Sequence, residues 1–242
     1  ISAATDTVIK TVTLAPKATG FKSDGSTLDK VVFDAANAAT KIDTFAFPNQ
    51  LESIVIRGNR AYVPNTASSP NGPVKFNVNV QGFLSVIDIT TDQEVADETF
   101  NMNSGVQLET VGKKLFITNP SAMAFKSGND FDGFVLSRAT DRLVRVVLDA
   151  NGKPTINAPK VANDPGNIVR IEVGVDTVIY HNSGPEGVVI NGSNTRAYVM
   201  NLISRDVSVV DIAGNDPTTF KEIARIQSAT LPTDPLEVQV LR

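Results

Sequence analysis

The segment "SGNDFDG" at 127–133 concentrates side chains whose oxygens could bind a metal ion. Asn129, Asp130 and Asp132 precede Gly133, and oxygen ligands followed by a glycine are typical of calcium loops, where the chain must turn sharply for the ligands to converge. The full twelve-residue loop with its terminal Glu is missing. The sequence therefore offers Asn129, Asp130 and Asp132 as a calcium site, with a solvated turn as the alternative.

His181, in "VIYHNSGPEG", is the only imidazole in the chain. An imidazole can bind a metal, serve as an axial ligand to a partner's haem, or carry a proton. With no second His and no Cys, a metal site around it would need carboxylates or another chain. His181 is the candidate cofactor-binding residue, and a hydrogen-bonded loop histidine is the alternative.

No arrangement of residues in the sequence predicts catalysis. A Ser-His-Asp triad could be built only around His181, and no nucleophile-elbow sequence supports one. Acidic residues are scattered, so nothing brings two carboxylates together for glycoside chemistry. We therefore predict no catalytic residues for this chain.

Three phenylalanines lie close together in the sequence around 120–132. Phe125, Phe131 and Phe134 could form an apolar contact patch for a protein partner, and packing against the rest of the protein is the alternative. Arg57 and Arg60, in "IRGNR", are interpreted as solvated turn charges.

Composition excludes several classes of function. The 242 residues carry 22 basic and 26 acidic side chains, a net charge of −4 that argues against a nucleic-acid partner. The absence of cysteine excludes disulfides, thiolate metal sites and covalent haem attachment within the chain. No apolar run approaches the roughly 18 residues of a membrane-spanning helix.

The elements that would position these residues recur in a fixed order. An apolar strand ending in a polar turn is followed by "AYVPN", "LFITN" or "AYVMN", then by an alternating strand such as "FLSVIDI" or "DVSVVDI", then by a fourth strand. Period-2 alternation of Val, Ile, Phe and Tyr between Gly, Asn and Asp turns predicts antiparallel strands. Asn65, Asn119 and Asn201 recur at the end of the second strand and are interpreted as structural.

Repeats of four short strands predict an all-β protein, a β-propeller whose blades must stack to bury their faces. The tetrapeptides "YVPN", "FITN" and "YVMN" resemble the YVTN-type β-propeller repeat. The terminal "PLEVQVLR" resembles the lead-in by which some secreted YVTN propellers join a c-type cytochrome domain of the cytochrome c peroxidase type. This resemblance implies a periplasmic, extracellular or cell-surface location and haem c in an adjoining domain.

We expect a single propeller over 1–242, with near-complete blades at about 51–100, 106–148 and 185–226. Residues 227–242 would begin a further blade or form a linker. A seven-bladed ring would need roughly 280–315 residues, so we expect an incomplete propeller that requires further chain, or a partner, to close.

The long segments predict which side of the propeller is functional. Loops 66–82 and 120–132 join second to third strands, and connections at roughly 15–50 and 149–184 join blades. All four should lie on one face, and long loops on a rigid scaffold are where binding usually resides.

The function expected from these observations is a non-catalytic, extracytoplasmic scaffold whose loop-rich face contacts a protein partner or an attached haem domain. One alternative is a surface-layer or adhesion protein. The other is a lactonase-like, metal-dependent hydrolase with a metal in the central channel, which would need several Asp, Glu, Asn or His side chains at the mouths of the inner strands.

Overall fold

The computed structural model describes residues 4–5, 7–19, 44–70, 79–106, 109, 115–156, 168–174 and 183–227. These residues form three antiparallel sheets, which are blades of an incomplete β-propeller. A short helix, α1 (Asn103–Val106), follows the first blade. No helix among the described residues is long and apolar enough to cross a membrane.

The first blade is built around the long hairpin of β4 and β5. A short N-terminal strand pairs with β2, while β2 and β3 together pair with β4, and β6 and β7 together pair with β5. Its strands are β1 (Lys17–Ala18), β2 (Phe45–Leu51), β3 (Val55–Arg57), β4 (Arg60–Ser68), β5 (Val80–Asp88), β6 (Gln93–Glu94) and β7 (Phe100–Asn101).

The second and third blades each have four strand positions. In the second blade β11 and β12 share the fourth position, since both pair with β10. The strands of the second blade are β8 (Pro120–Phe125), β9 (Asp132–Ser137), β10 (Arg142–Leu148), β11 (Pro154–Thr155) and β12 (Arg170–Glu172). Those of the third are β13 (Pro185–Ile190), β14 (Arg196–Asn201), β15 (Asp206–Asp211) and β16 (Lys221–Gln227).

Alternation along the strands divides the apolar core between two interfaces. Tyr62 and Leu84 of the first blade pack with Val135 and Val144 of the second. The neighbouring residues Phe134 and Leu143 pack instead with the third blade. Successive strand residues point to opposite faces of a sheet, so the middle blade buries both of its faces.

The third blade leaves part of one face exposed. Val188 and Val199 pack against the second blade. On the other face, Val189 and Met200 are 62% and 51% exposed. The stack of blades is therefore open on this side within the described residues, as expected for an incomplete propeller.

The asparagines of the repeat join the second and third strands of a blade. The Asn65 side chain donates to Ser85 Oγ in the first blade, and that of Asn201 donates to Ser208 Oγ in the third, at 3.1 and 2.9 Å. Asn119 instead has a φ of +48°, a left-handed conformation that Asn tolerates. The similar segments "YVPN…FLSVIDI" and "YVMN…DVSVVDI" thus form the same Asn–Ser hydrogen bond between their strands.

The first described strand of the second blade begins later in the sequence than predicted, so each following strand takes a position one earlier in the blade. Residues 115–119, predicted as its second strand, are not in a strand, and residues 120–125, predicted as loop, form β8. The first strand is therefore Pro120–Phe125, and the segments predicted as third and fourth strands are its second and third, β9 and β10.

This shift also corrects the predicted loop face. Turns alternate between the two faces of a blade, so the turn 126–131 joins the first two strands and lies beside the corresponding turns of the other blades. Ser127 N donates to Asn194 Oδ1 of the third blade, and Arg57 of the first blade donates to Gly128 O. The long segments do not all share one face. The loop at 66–82 is also shorter than predicted, because β4 continues to Ser68 and β5 begins at Val80.

Three charged side chains are buried between the second and third blades. Lys126, Asp132 and Arg145 are 1%, 0% and 2% exposed. Asp132 Oδ1 lies 3.0 Å from Arg145 Nε, and Asp132 Oδ2 lies 3.5 Å from Lys126 Nζ. Lys126 Nζ also lies 5.1 Å from the ring centroid of Phe220. The attraction within this cluster offsets the cost of removing these charges from water.

Replacing Asp132 with Asn should lower the free energy of unfolding by about 3–5 kcal/mol, because it leaves two buried cations without their shared carboxylate. Urea unfolding followed by circular dichroism measures the change. Asp211→Asn is the matched control, since Asp211 pairs with Arg196 at 2.7 Å where both side chains are about one-third exposed. That variant should cost less than about 1 kcal/mol. Equal losses in the two variants would contradict a stabilising role for the buried cluster.

Candidate binding cleft

A cleft of about 660 Å³ opens between the first and second blades. Its walls are three turns, at 57–60, 126–131 and 149–152, which all lie on the same face of the propeller. The lining residues are Arg57, Gly58, Asn59, Arg60, Tyr62, Gly128, Phe131, Leu148, Asp149, Ala150, Asn151 and Gly152.

Arg57 ties two of these walls together. Its guanidinium donates to the carbonyl oxygens of Lys126, Gly128 and Asp130, the second at 3.0 Å. It also lies over the ring of Phe125, 5.4 Å from the centroid. A planar guanidinium carries five donors and suits this task, because it can bond several carbonyls and stack on an aromatic ring at once.

Tyr62 forms the floor of the cleft and holds the third wall. Its hydroxyl donates to Gly152 O at 2.7 Å, and its ring meets Phe125 edge-on with centroids 4.9 Å apart. Gly152 has a φ of +90°, and a Cβ there would lie 3.0 Å from the Tyr62 hydroxyl. Burial, with a further contribution from the Glu98 carboxylate, raises the pKa of Tyr62 to about 12. The phenol is therefore protonated at neutral pH.

Arg60 is held by two carboxylates. Its Nε lies 2.7 Å from Glu98 Oε2, and one terminal nitrogen lies 2.5 Å from Asp88 Oδ2. The hydrogen bond to Glu98 is the main reason that the pKa of Arg60 lies above its usual range. Hydrogen bonds from Thr90 in turn lower the pKa of Asp88 below its ordinary value. Arg57 and Arg60 are thus engaged within the protein and are not the solvated turn charges predicted from the sequence.

The rim of the cleft is more exposed than its floor. Phe131 is 44% exposed, and its carbonyl oxygen accepts a hydrogen bond from Leu148 N at 3.0 Å. Asp149 closes its own turn by accepting from Asn151 N and Lys153 N at 2.8 and 2.9 Å. The rim therefore offers one aromatic ring surrounded by turn backbone and amide side chains, a composition suited to contact with another polypeptide.

The three phenylalanines predicted as one patch occupy different environments. Phe131 lies at the cleft rim, whereas Phe125 is half-buried beneath Arg57 and against Tyr62. Phe134 is fully buried between the second and third blades, with its ring centroid 6.1 Å from that of Phe220. They lie apart because β8 and β9 are paired strands, so successive residues point to different faces. Phe134 therefore cannot contact a partner in the folded protein.

Asp130 and Asp132 of the predicted calcium loop both have partners within the protein. Asp132 is buried between Lys126 and Arg145, and Asp130 accepts a hydrogen bond from Asp132 N while lying 3.6 Å from Lys126 Nζ. Asn129 is exposed in the same turn. Across the described residues, no three His, Cys, Asp or Glu side chains lie close enough to hold a metal ion. His181 lies outside the described residues.

A second polar junction involves all three blades near the inner strands. Arg138 bonds to Glu52 of the first blade and Glu186 of the third, and one Arg138 nitrogen lies 3.3 Å from Glu52 Oε1. Glu52 and Glu186 bring two carboxylates from different blades together near the inner strands, which is part of what the hydrolase alternative requires. Both are neutralised by the same guanidinium.

No protein-family model matches the chain, and no curated protein matches it.

Several solved structures resemble it at low identity. A functionally unknown protein from Desulfotomaculum acetoxidans is 12% identical over 75% of this chain and 44% of its own, with a TM-score of 0.47. A periplasmic gluconolactonase from Pseudomonas aeruginosa is 14% identical over 79% and 46%, with a TM-score of 0.42. Hydrazine synthase from Kuenenia stuttgartiensis is 11% identical over 75% and 50%, with a TM-score of 0.42. The chain thus spans about half the length of these structures.

Replacing Tyr62 with Phe should destabilise the protein by about 1 kcal/mol at pH 8, because Gly152 O loses its hydrogen bond. The raised pKa of the Tyr62 phenol predicts a further difference at alkaline pH. The protonated phenol favours the folded state, so its contribution is complete below pH 10 and is lost as the pH rises toward 12.

Urea titrations at pH 8, 9.5 and 11.5 test both effects. Wild type should lose more stability than Tyr62→Phe between the two higher values. Tyr198→Phe is the control, because Tyr198 lies on the third blade, away from the cleft. If the free energy of unfolding depended on pH in the same way in wild type and in Tyr62→Phe, the raised pKa of Tyr62 would be contradicted.

Proposed function

We propose that the chain is a non-catalytic β-propeller binding module that holds a protein partner at the cleft between its first and second blades. The main support for this proposal is that the ionisable groups of the cleft are all bonded to other parts of the protein. Arg57 is engaged by backbone carbonyls and Arg60 by carboxylates, while Tyr62 is protonated and donates to Gly152 O. These groups maintain the shape of the cleft and are poorly placed to exchange protons with a substrate.

The rim indicates what the cleft would bind. Exposed aromatic residues surrounded by polar groups are enriched at protein interfaces. Binding removes the apolar surface of the ring from water, while the polar groups at the rim keep their hydrogen bonds. Phe131 has this position, with Asn59 and Asn151 among the neighbouring lining residues. We infer a protein segment as ligand, with Phe131 as its apolar anchor.

The resemblance to secreted YVTN propellers supports two further parts of the proposal. It implies action outside the cytoplasm, and it implies an adjoining c-type haem domain that would perform any redox chemistry. A surface-layer or adhesion role would use the same cleft without haem.

A lactonase-like activity is the competing proposal. Glu52 and Glu186 favour it, since they bring two carboxylates from different blades to one guanidinium near the inner strands. Catalysis there would require Arg138 to release at least one carboxylate.

Photo-crosslinking at the cleft rim tests the binding proposal. Phe131 is replaced by p-benzoylphenylalanine in the native protein, which is irradiated in its source and examined by mass spectrometry. Phe47 is the matched control, because it is 46% exposed on β2 of the first blade. We expect one defined protein adduct at position 131 and not at position 47.

Equal labelling at both positions would contradict the cleft as the binding site. Hydrolysis of gluconolactone above the spontaneous rate, lost in both Glu52→Gln and Glu186→Gln, would instead support the hydrolase and overturn the non-catalytic role.

The haem part of the proposal has its own test. The native protein purified from its source should have an intact mass well above 25.8 kDa and an absorption band in the Soret region. A mass of 25.8 kDa without that band would refute the attached haem domain and leave the binding proposal standing.

A further inference from the structure

Several buried oxygen atoms in the third blade have no hydrogen-bond partner. They belong to Ser183, Asn201, Ser204 and Asp206, and the atoms are Ser183 Oγ, Asn201 Oδ1, Ser204 Oγ and Asp206 Oδ2. Ser183, Asn201 and Asp206 are 0%, 1% and 4% exposed, so bulk water does not satisfy them. A buried oxygen without a partner costs free energy, and a group of them indicates a missing ligand.

These four residues lie around one turn. Asn201 ends β14 and pairs across the hairpin with Asp206, which begins β15. The Ser183 carbonyl oxygen accepts hydrogen bonds from Ile203 N and Ser204 N, at 3.0 and 3.3 Å, which places Ser183 against the same turn. The Asn201 amide donates to Asp206 Oδ1 at 2.7 Å. This hydrogen bond fixes the amide orientation, because a carboxylate needs a donor, and it leaves Asn201 Oδ1 as the atom without a partner.

The surrounding charges are negative in sum. Asp206 and Glu222 share the guanidinium of Arg225, at 2.8 and 2.9 Å. Asp141, which is 4% exposed, accepts only backbone hydrogen bonds through its side chain, from Ser183 N and Gly184 N. Arg142 also lies near Asp141 and pairs with Glu172, so four carboxylates share two guanidiniums in this region, while Arg205 of the turn is exposed.

We propose that Ser183, Asn201, Ser204 and Asp206 form a cation site that binds Ca²⁺ through the four oxygens without partners. Ca²⁺ accepts mixed carboxylate, amide and hydroxyl oxygens in flexible geometry, whereas Mg²⁺ demands a regular octahedron. A single carboxylate among the direct ligands places the affinity at the weak end of calcium sites, with a Kd of about 10⁻⁴ to 10⁻³ M. The site is separate from the loop at Asn129, Asp130 and Asp132 and independent of the cleft.

Thermal unfolding in calcium tests the site. The melting temperature of wild type is compared in EGTA, in 10 mM CaCl₂ and in 10 mM MgCl₂ at equal ionic strength. A ligand at roughly tenfold its Kd should raise the melting temperature by about 3–6 °C for a chain of this size. Magnesium should produce a clearly smaller rise.

Ser183→Ala is the decisive variant, because it removes a hydroxyl that has no partner in the protein. Its melting temperature in EGTA should not fall, while most of the calcium-dependent rise should disappear. Ser69→Ala is the matched control, since Ser69 is also buried with an Oγ that lacks a partner, but lies in the first blade. It should retain the full rise.

Asp206→Asn should abolish the calcium effect and the heat of binding in isothermal titration calorimetry. Should this variant fail to fold, Ser183→Ala decides the question alone. Equal stabilisation by calcium and magnesium, or an undiminished calcium effect in Ser183→Ala, would overturn the site and leave an ordered water as the occupant.

Discussion

The packing of one sheet face against the next is the constraint on which the rest of this molecule depends. Each blade presents two faces, and a small sheet is stable only where those faces are covered. The middle blade satisfies this condition on both sides, since Val135 and Val144 pack toward the first blade and Phe134 and Leu143 toward the third. On the third blade, Val189 and Met200 remain exposed to water, because no described blade packs against the face that carries them.

Polar contacts at the blade boundaries then decide where the turns lie. Arg57 reaches from the first blade to the carbonyls of the 126–131 turn, and Asp132 neutralises two cations where the second blade meets the third. Arg138 contacts the blades on both sides of its own. Because these contacts position the turns, the cleft is a product of blade packing and does not depend on any one loop.

The repeat pattern predicted the all-β class, the strands of the third blade and the central hairpin of the first blade, but β1 and β2 lie in the segment predicted as a connection at roughly 15–50. It failed for the middle blade because "LFITN" matches the repeated tetrapeptide, whereas the strand that forms is "PSAMAF", which begins with Pro and contains two Ala. Neither residue favours strands, so tertiary pairing with β9 overrides the local preference. The sequence singled out Phe131, which lies at the rim of the cleft, as a candidate contact residue. It did not single out Arg57 and Tyr62 as residues that shape the cleft, because a turn charge and a core tyrosine carry no local sign of their partners.

The sequence by itself determined the strand content and the lack of cysteine chemistry, because these follow from residue type and period-2 alternation. Only the tertiary structure decided which side chains meet. Arg57 and Gly128 are 71 positions apart in the sequence, and Tyr62 and Gly152 are 90 positions apart. Such contacts depend on strand register and on the order in which blades stack. A shift of one strand moves a turn to the opposite face, and local sequence does not specify that shift.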